Sequence, residues 1–205
     1  MKIEVAAHRG NMALYPENTL PAFRSACEIG VDMIELDMHM TKDGEIIVAH
    51  DGDFIRTADN PGKIHEMTLA EIKKIDVGKK RGSEFEGITV PTLGEFLDLM
   101  KQIGQSMSFN FEFKDYIHVH GDKFACESAD RAIALIDEYG FWDRSIANSF
   151  DGSLLEYIEK NMTGASACTV FIPMNCAVKQ KPNSIAPAFS ISILRTAIGY
   201  AAARP

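Results

Sequence analysis

The first forty residues change hydrophobic period twice, and that pattern restricts the fold more than any other feature of the chain. Ile3, Val5, Ala6 and Ala7 make a short apolar strand that ends at His8. Asn18 or Thr19 can cap a helix whose apolar positions Leu20, Phe23, Ala26 and Cys27 share one face, and Gly30 supplies its stop. VDMIELDMHM, residues 31–40, then alternates as a second strand. Two strands joined through a helix lie side by side in parallel, because only such a crossover returns the chain to the same end of the sheet. The expected architecture is therefore parallel α/β.

The next segment breaks the rhythm. Asp43-Gly44 is a hairpin signal and Glu45 to His50 a returning strand, with a gap too short for a parallel crossover. The reading places the second strand beyond the rim of the sheet, folded back so that His50 returns beside the strand's own carboxyl end. Residues 51–88 are polar and punctuated by glycine, with one helical piece at Leu69 to Ile75, and read as a small insertion or lid. From VPTL at 90–93 the alternation resumes: helix 92–103, strand 108–114, helix 122–139, strand 145–149, helix 152–160, strand 167–172. This predicts one domain over residues 1–205, most simply a TIM (β/α)8-type barrel. No Gly-x-Gly-x-x-Gly follows the first strand, which argues against a dinucleotide fold.

Composition narrows the class of partner. A net charge of -8 over 205 residues argues against nucleic acid, which is held by clustered Lys and Arg, so any phosphate must be bound locally. Glu4 and His8 interrupt the first apolar run too early for a signal peptide, and the cytoplasm is the expected location. Residues 185–203, the longest apolar stretch, include Pro187, Arg195 and several hydroxyl residues and are not expected to span a membrane. Cys27, Cys126, Cys168 and Cys176 form no Cys-x-x-Cys pair and read as reduced thiols. Every acidic residue lies at or before Glu159.

The chemistry concentrates at strand ends. Residues two apart on a strand share a face, so Glu35 and Asp37 project together while Ile34, Leu36 and Met38 face away. Glu112 and Lys114 repeat the arrangement among Phe109, Phe111 and Phe113. An amphipathic strand with a solvated face would look the same, but parallel strands are normally covered on both faces, which favours a site. Three converging carboxylates repel one another unless a cation neutralises them, and an all-oxygen set suits Mg2+ or Ca2+ better than zinc. His8 and His50 can reach the same mouth and offer an acid and a base near neutral pH. Arg9 supplies a donor fork for phosphate oxygens, and Asp51 can orient a neighbour. His39, His65, His118 and His120 read as structural or surface residues.

These residues resemble the pattern of the glycerophosphodiester phosphodiesterase family. The matching motifs are His8-Arg9-Gly10, Pro16-Glu17-Asn18-Thr19, Glu35-Leu36-Asp37, Thr41-Lys42-Asp43-Gly44, His50-Asp51, Glu112-Phe113-Lys114 and Ser149-Phe150. The resemblance implies a (β/α)8 barrel with an insertion after His50, and metal-dependent hydrolysis of a small glycerophosphodiester to glycerol 3-phosphate and an alcohol. It implies Glu35, Asp37 and Glu112 as ligands of Mg2+ or Ca2+, and His8 and His50 as acid and base. Arg9 and Lys114 would bind phosphate, with Glu17, Asn18 and Asp51 in support. The family's late Trp-Thr-Val-Asn and Thr-Asp-x-Pro strands have no counterpart, so 184–189 resembles the sixth strand region, 191–205 the following helix, and the last two βα units are expected to be missing. The competing readings are a non-catalytic module that keeps the metal site, and a phospholipase-D-type lyase that forms a cyclic phosphate.

Overall fold

The computed structural model describes residues 4–104 and 106–161, together with the backbone of a strand at 168–170. Five strands run parallel in the order β1 (Ala6–His8), β2 (Met33–Met40), β4 (Ser108–Phe113), β5 (Ser145–Ser149) and β6 (Cys168–Val170). The hairpin strand β3 (Ile46–Val48) pairs antiparallel with the far end of β2, matching Met38 to Val48 and Met40 to Ile46. The long helices are α1 (Leu20–Glu28), α4 (Leu93–Ile103), α6 (Asp122–Glu138) and α7 (Gly152–Asn161). The short ones are α2 (Ile55–Ala58), α3 (Leu69–Ile72) and α5 (Ile117–His120). The parallel sheet, the hairpin and the order of elements are those expected from the sequence.

Differences are local. The helical piece expected to reach Ile75 ends at Ile72, and α5 precedes α6 as a separate turn, broken at Gly121 with φ +80°. Thr19 occupies the N-cap of α1, but its hydroxyl donates to the Pro16 carbonyl instead of accepting from the helix, and Asn18 turns inward to the site. Thr92 does cap α4 with a full capping box, in which Glu95 reaches back to the Thr92 N–H. Among the described residues the sheet has two ends, β1 and β6, and no ring closes between them. The expected strand at 184–189 and the helix after it lie outside the described residues.

All eight residues of β2 are buried, as a central parallel strand requires. Ile34, Leu36 and Met38 pack with Phe109, Phe111 and Phe113 against Phe23 of α1 and Phe96 and Met100 of α4. Phe96 is fully buried and meets the rings of Phe23, Phe109 and Phe111 edge-on, with centroids 4.8, 5.7 and 6.3 Å away. The excursion after His50 has its own small core of Phe54, Ile64, Ile72, Ile75 and Val77, joined to the sheet through Ile47 and Val90.

Gly10 serves the fold in a way the sequence did not suggest. Its φ is +76°, and a Cβ there would lie 2.8 Å from the backbone carbon of Ala22, so the residue permits close packing on α1. Phe96→Ala is expected to destabilise the protein by about 3–5 kcal/mol in urea unfolding, because three rings lose their common partner. A loss below about 1 kcal/mol would mean that the helix layer does not rest on this contact.

Candidate active site

Strand register builds the centre of the site. Glu35 lies opposite Asn110 and Asp37 opposite Glu112 on the neighbouring parallel strands, so alternation turns all four side chains to the same side, away from the phenylalanine layer. One carboxylate oxygen each from Glu35, Asp37 and Glu112 lies within 4.8 Å of the others. Asp37 is wholly inaccessible to solvent, and Glu35 and Glu112 are 6% exposed.

Two cations and an amide brace the trio. The Lys114 ammonium donates to Glu112 Oε1 at 2.6 Å and sits 3.1 Å from Asp37 Oδ1. Arg9 places its Nε 3.3 Å from Asp37 Oδ2 and donates from a terminal nitrogen to Glu17 Oε1 at 3.1 Å. Asn18 Nδ2 donates to Asp37 Oδ2 at 2.8 Å. Arg9 and Asn18 both hold positive φ, +55°, which bulky residues rarely adopt. The turn aims the Arg9 N–H at Glu35 Oε2, 2.8 Å away, and the Asn18 N–H at the Arg9 carbonyl.

The bracing leaves oxygens unserved. Glu35 Oε1 and Asn18 Oδ1 are buried without a hydrogen-bond partner among the described protein atoms, and Asp37 Oδ1 has only the Lys114 ammonium, 3.1 Å away. Buried acceptors facing one another are costly unless something positive lies between them, and hard oxygen donors suit a divalent cation such as Mg2+ or Ca2+. The charge state agrees: burial, then the neighbouring Asp37 and Glu112 charges, push Glu35 up to about 8 despite the Arg9 N–H. Burial also raises Glu112, against the partial relief of Lys114. Desolvation opposes the charge on Lys114, yet Asp37 and Glu112 raise its pKa above the ordinary lysine value.

Both candidate histidines stand over this centre. His8 ends β1, and its Nε2 lies 3.8 Å from Glu35 Oε2. Displaced water, then the Arg9 charge, lower its pKa below the usual histidine value, so the ring is neutral near pH 7. His50 follows β3, and its Nδ1 is 2.6 Å from Asp51 Oδ1, leaving Nε2 for another partner. Asp51 is thereby in position to fix the orientation of the His50 ring. Glu17 is tied to Arg9 and also accepts two bonds of 2.7 Å from Arg56, whose Nε donates to Asp51 at 2.7 Å. Desolvation raises Glu17, but its two arginines outweigh it and hold the carboxyl below the ordinary range.

Arg56 escaped sequence reading because one arginine on a short helix of a polar excursion gives no periodic signal. Asn110 and Asn148 also escaped it, although each shares a face with Glu112 by alternation or register, and each buries an Oδ1 without a partner among the described protein atoms. A cleft of about 220 Å3, lined by Met12, Tyr15, Glu17, Arg56, Val77 and Arg81, meets the rim of the site at Glu17 and Arg56.

A family model described as the glycerophosphoryl diester phosphodiesterase family matches residues 8–186. The chain belongs to that family. A glycerophosphodiester phosphodiesterase of Caldanaerobacter subterraneus subsp. tengcongensis is 35% identical over 192 residues, covering 91% of this chain and 76% of the relative. One of Bacillus altitudinis is 33% identical over 159 residues, covering 78% and 62%. Among solved structures, an Oleispira antarctica phosphodiesterase in complex with the product sn-glycerol-3-phosphate superposes with a TM-score of 0.70 at 28% identity, over 80% of this chain and 64% of that one. A glycerophosphodiester phosphodiesterase from Agrobacterium tumefaciens gives 0.67 at 26% identity, over 78% and 63%. The chain therefore spans less than two thirds of three of these four proteins and has the TIM-barrel-like α/β architecture of the family. Among the described residues no helix is long and apolar enough to cross a membrane.

The raised Glu35 predicts a signature in the metal-free protein. Unfolded, this carboxyl titrates near 4.5, and folded near 8, so the folded state holds more protons between those values. Its contribution to stability is complete below about 4.5 and is lost as pH rises through about 8. Urea midpoints of the wild type and Glu35→Gln should therefore diverge in favour of the variant as pH rises, and added Mg2+ or Ca2+ should reverse the order. A difference that stays constant with pH would refute the burial argument.

Proposed function

We propose that the chain hydrolyses glycerophosphodiesters to glycerol 3-phosphate and a free alcohol. One observation carries the reading: three buried carboxylates, with Glu35 Oε1 lacking a hydrogen-bond partner among the described protein atoms, converge beneath a rim of two cations and two histidines. The names of the relatives and the product bound in the Oleispira structure support the same class of substrate. Glu35, Asp37 and Glu112 would hold a divalent cation, Mg2+ or Ca2+, which when bound supplies positive charge that polarises a phosphoryl oxygen.

The remaining steps belong to side chains. Arg9 and Lys114, now held against Asp37, Glu17 and Glu112, turn their free donors to the non-bridging phosphate oxygens. His8, neutral near pH 7, accepts the proton of the attacking water as its oxygen bonds to phosphorus. The phosphorus bond to the alcohol oxygen breaks, and His50, oriented by Asp51, delivers a proton to the departing alkoxide. Glu17 keeps Arg9 in place and, through Arg56, ties the excursion to the rim.

Release of glycerol 3-phosphate from glycerophosphocholine should require Mg2+ or Ca2+ and fall about 100-fold or more in His8→Ala and in His50→Ala. Turnover unchanged in both variants would refute the two histidines as base and acid, and no turnover in the wild type would leave only a binding module. Phosphorus NMR of the product should show glycerol 3-phosphate, and a lasting cyclic phosphate would identify a lyase instead.

A further inference from the structure

His39 takes no part in the chemistry proposed above, yet it is buried at the end of the strand that carries Glu35 and Asp37, and it has a contact on each ring nitrogen. Nδ1 lies 2.8 Å from Asp115 Oδ1. Nε2 lies 3.3 Å from the main-chain carbonyl oxygen of His50. A carbonyl only accepts, so Nε2 is the donor in that bond. Asp115 is itself immobilised: its Oδ2 accepts from the Met40 N–H at 2.7 Å and from the Ser128 hydroxyl of α6 at 2.6 Å. Burial works to raise Asp115, but His39, Ser128 and Met40 together hold its carboxyl below the ordinary range.

The tie falls where the sheet stops holding the chain. β3 ends at Val48, and the Ala49 N–H bonds to the Asp37 carbonyl at 3.0 Å. At His50 the backbone leaves for the excursion, and the side chain is half-exposed, restrained at its ring by Asp51. We infer that His39, carried on the buried end of β2, is a positioning residue for His50: its Nε2–H holds the carbonyl of the backbone on which the His50 imidazole rides, while Asp115 braces the other side of the ring. Proton transfer tolerates little displacement, and a shift of about 1 Å can cost about 100-fold in rate. The inference rests on the reading of His50 as the proton donor.

Two substitutions separate the two ring nitrogens. In His39→Gln the amide nitrogen can reach the place of Nε2 and keep the bond to the His50 carbonyl. In His39→Asn it lies near the place of Nδ1, keeping Asp115 and losing His50. His39→Gln should keep kcat within about threefold of wild type, whereas His39→Asn should lose about 10- to 100-fold in kcat with KM little changed. Mg2+ affinity by calorimetry should be the same in both. The NMR resonances of the His50 ring should move in His39→Asn and stay in place in His39→Gln. Equal kcat in the two variants, or a His50 ring unmoved in both, would overturn the inference, and so would a matched loss of activity and Mg2+ affinity. His50→Ala, assayed beside them, tests the underlying reading by itself: full activity there refutes His50 as the donor, while the NMR comparison still decides whether His39 sets its position.

Discussion

Mutual repulsion among Glu35, Asp37 and Glu112 is the constraint around which the rest of the molecule is arranged. Three carboxylates this close and this deep would neutralise, separate or unfold their surroundings if left alone. Instead, two parallel strands hold Asp37 against Glu112 by register, and a layer of phenylalanines behind them prevents the strands from sliding. A slip of one residue would exchange the carboxylate face with the Ile34 and Leu36 face and put charge into the core. The apolar packing and the acidic centre thus enforce each other through one backbone.

The groups around the trio come from three separate connections. Arg9 and Asn18 sit in the first loop in left-handed backbone, Lys114 extends the strand of Glu112, and His50 arrives by the hairpin. None would reach the trio without its own local geometry. The strained turn at Arg9 is offset by what it delivers, a backbone donor for Glu35 and a guanidinium for Asp37 from a single residue.

Much of this was legible in the chain. The parallel sheet followed from the spacing of strands and helices, and the convergence of Glu35, Asp37, Glu112 and Lys114 followed from alternation at a period of two. The return of His50 followed from the Asp43-Gly44 turn. What was not legible involves contacts between segments that carry no common period. Arg56, 39 positions from Glu17 in sequence, joins it to Asp51, and Asp115 joins β2 to α6. The need for glycine at position 10 was not legible either, since its close neighbour is Ala22 of a helix, a proximity fixed only when that helix docks. His39 was read as structural or surface, which is right for its burial and silent about what it touches.

The excursion after His50 has one further consequence. Because it packs on its own cluster of Phe54, Ile64, Ile72, Ile75 and Val77, and meets the first loop through Arg56, Arg81 and Phe85, the rest of its outer surface can vary without disturbing the acidic centre. If the site works as proposed, natural variation can therefore redraw the outer surface of the excursion while the acidic centre and its bracing cations stay constant. In such an arrangement the range of substrates and the chemical step can evolve as separate traits.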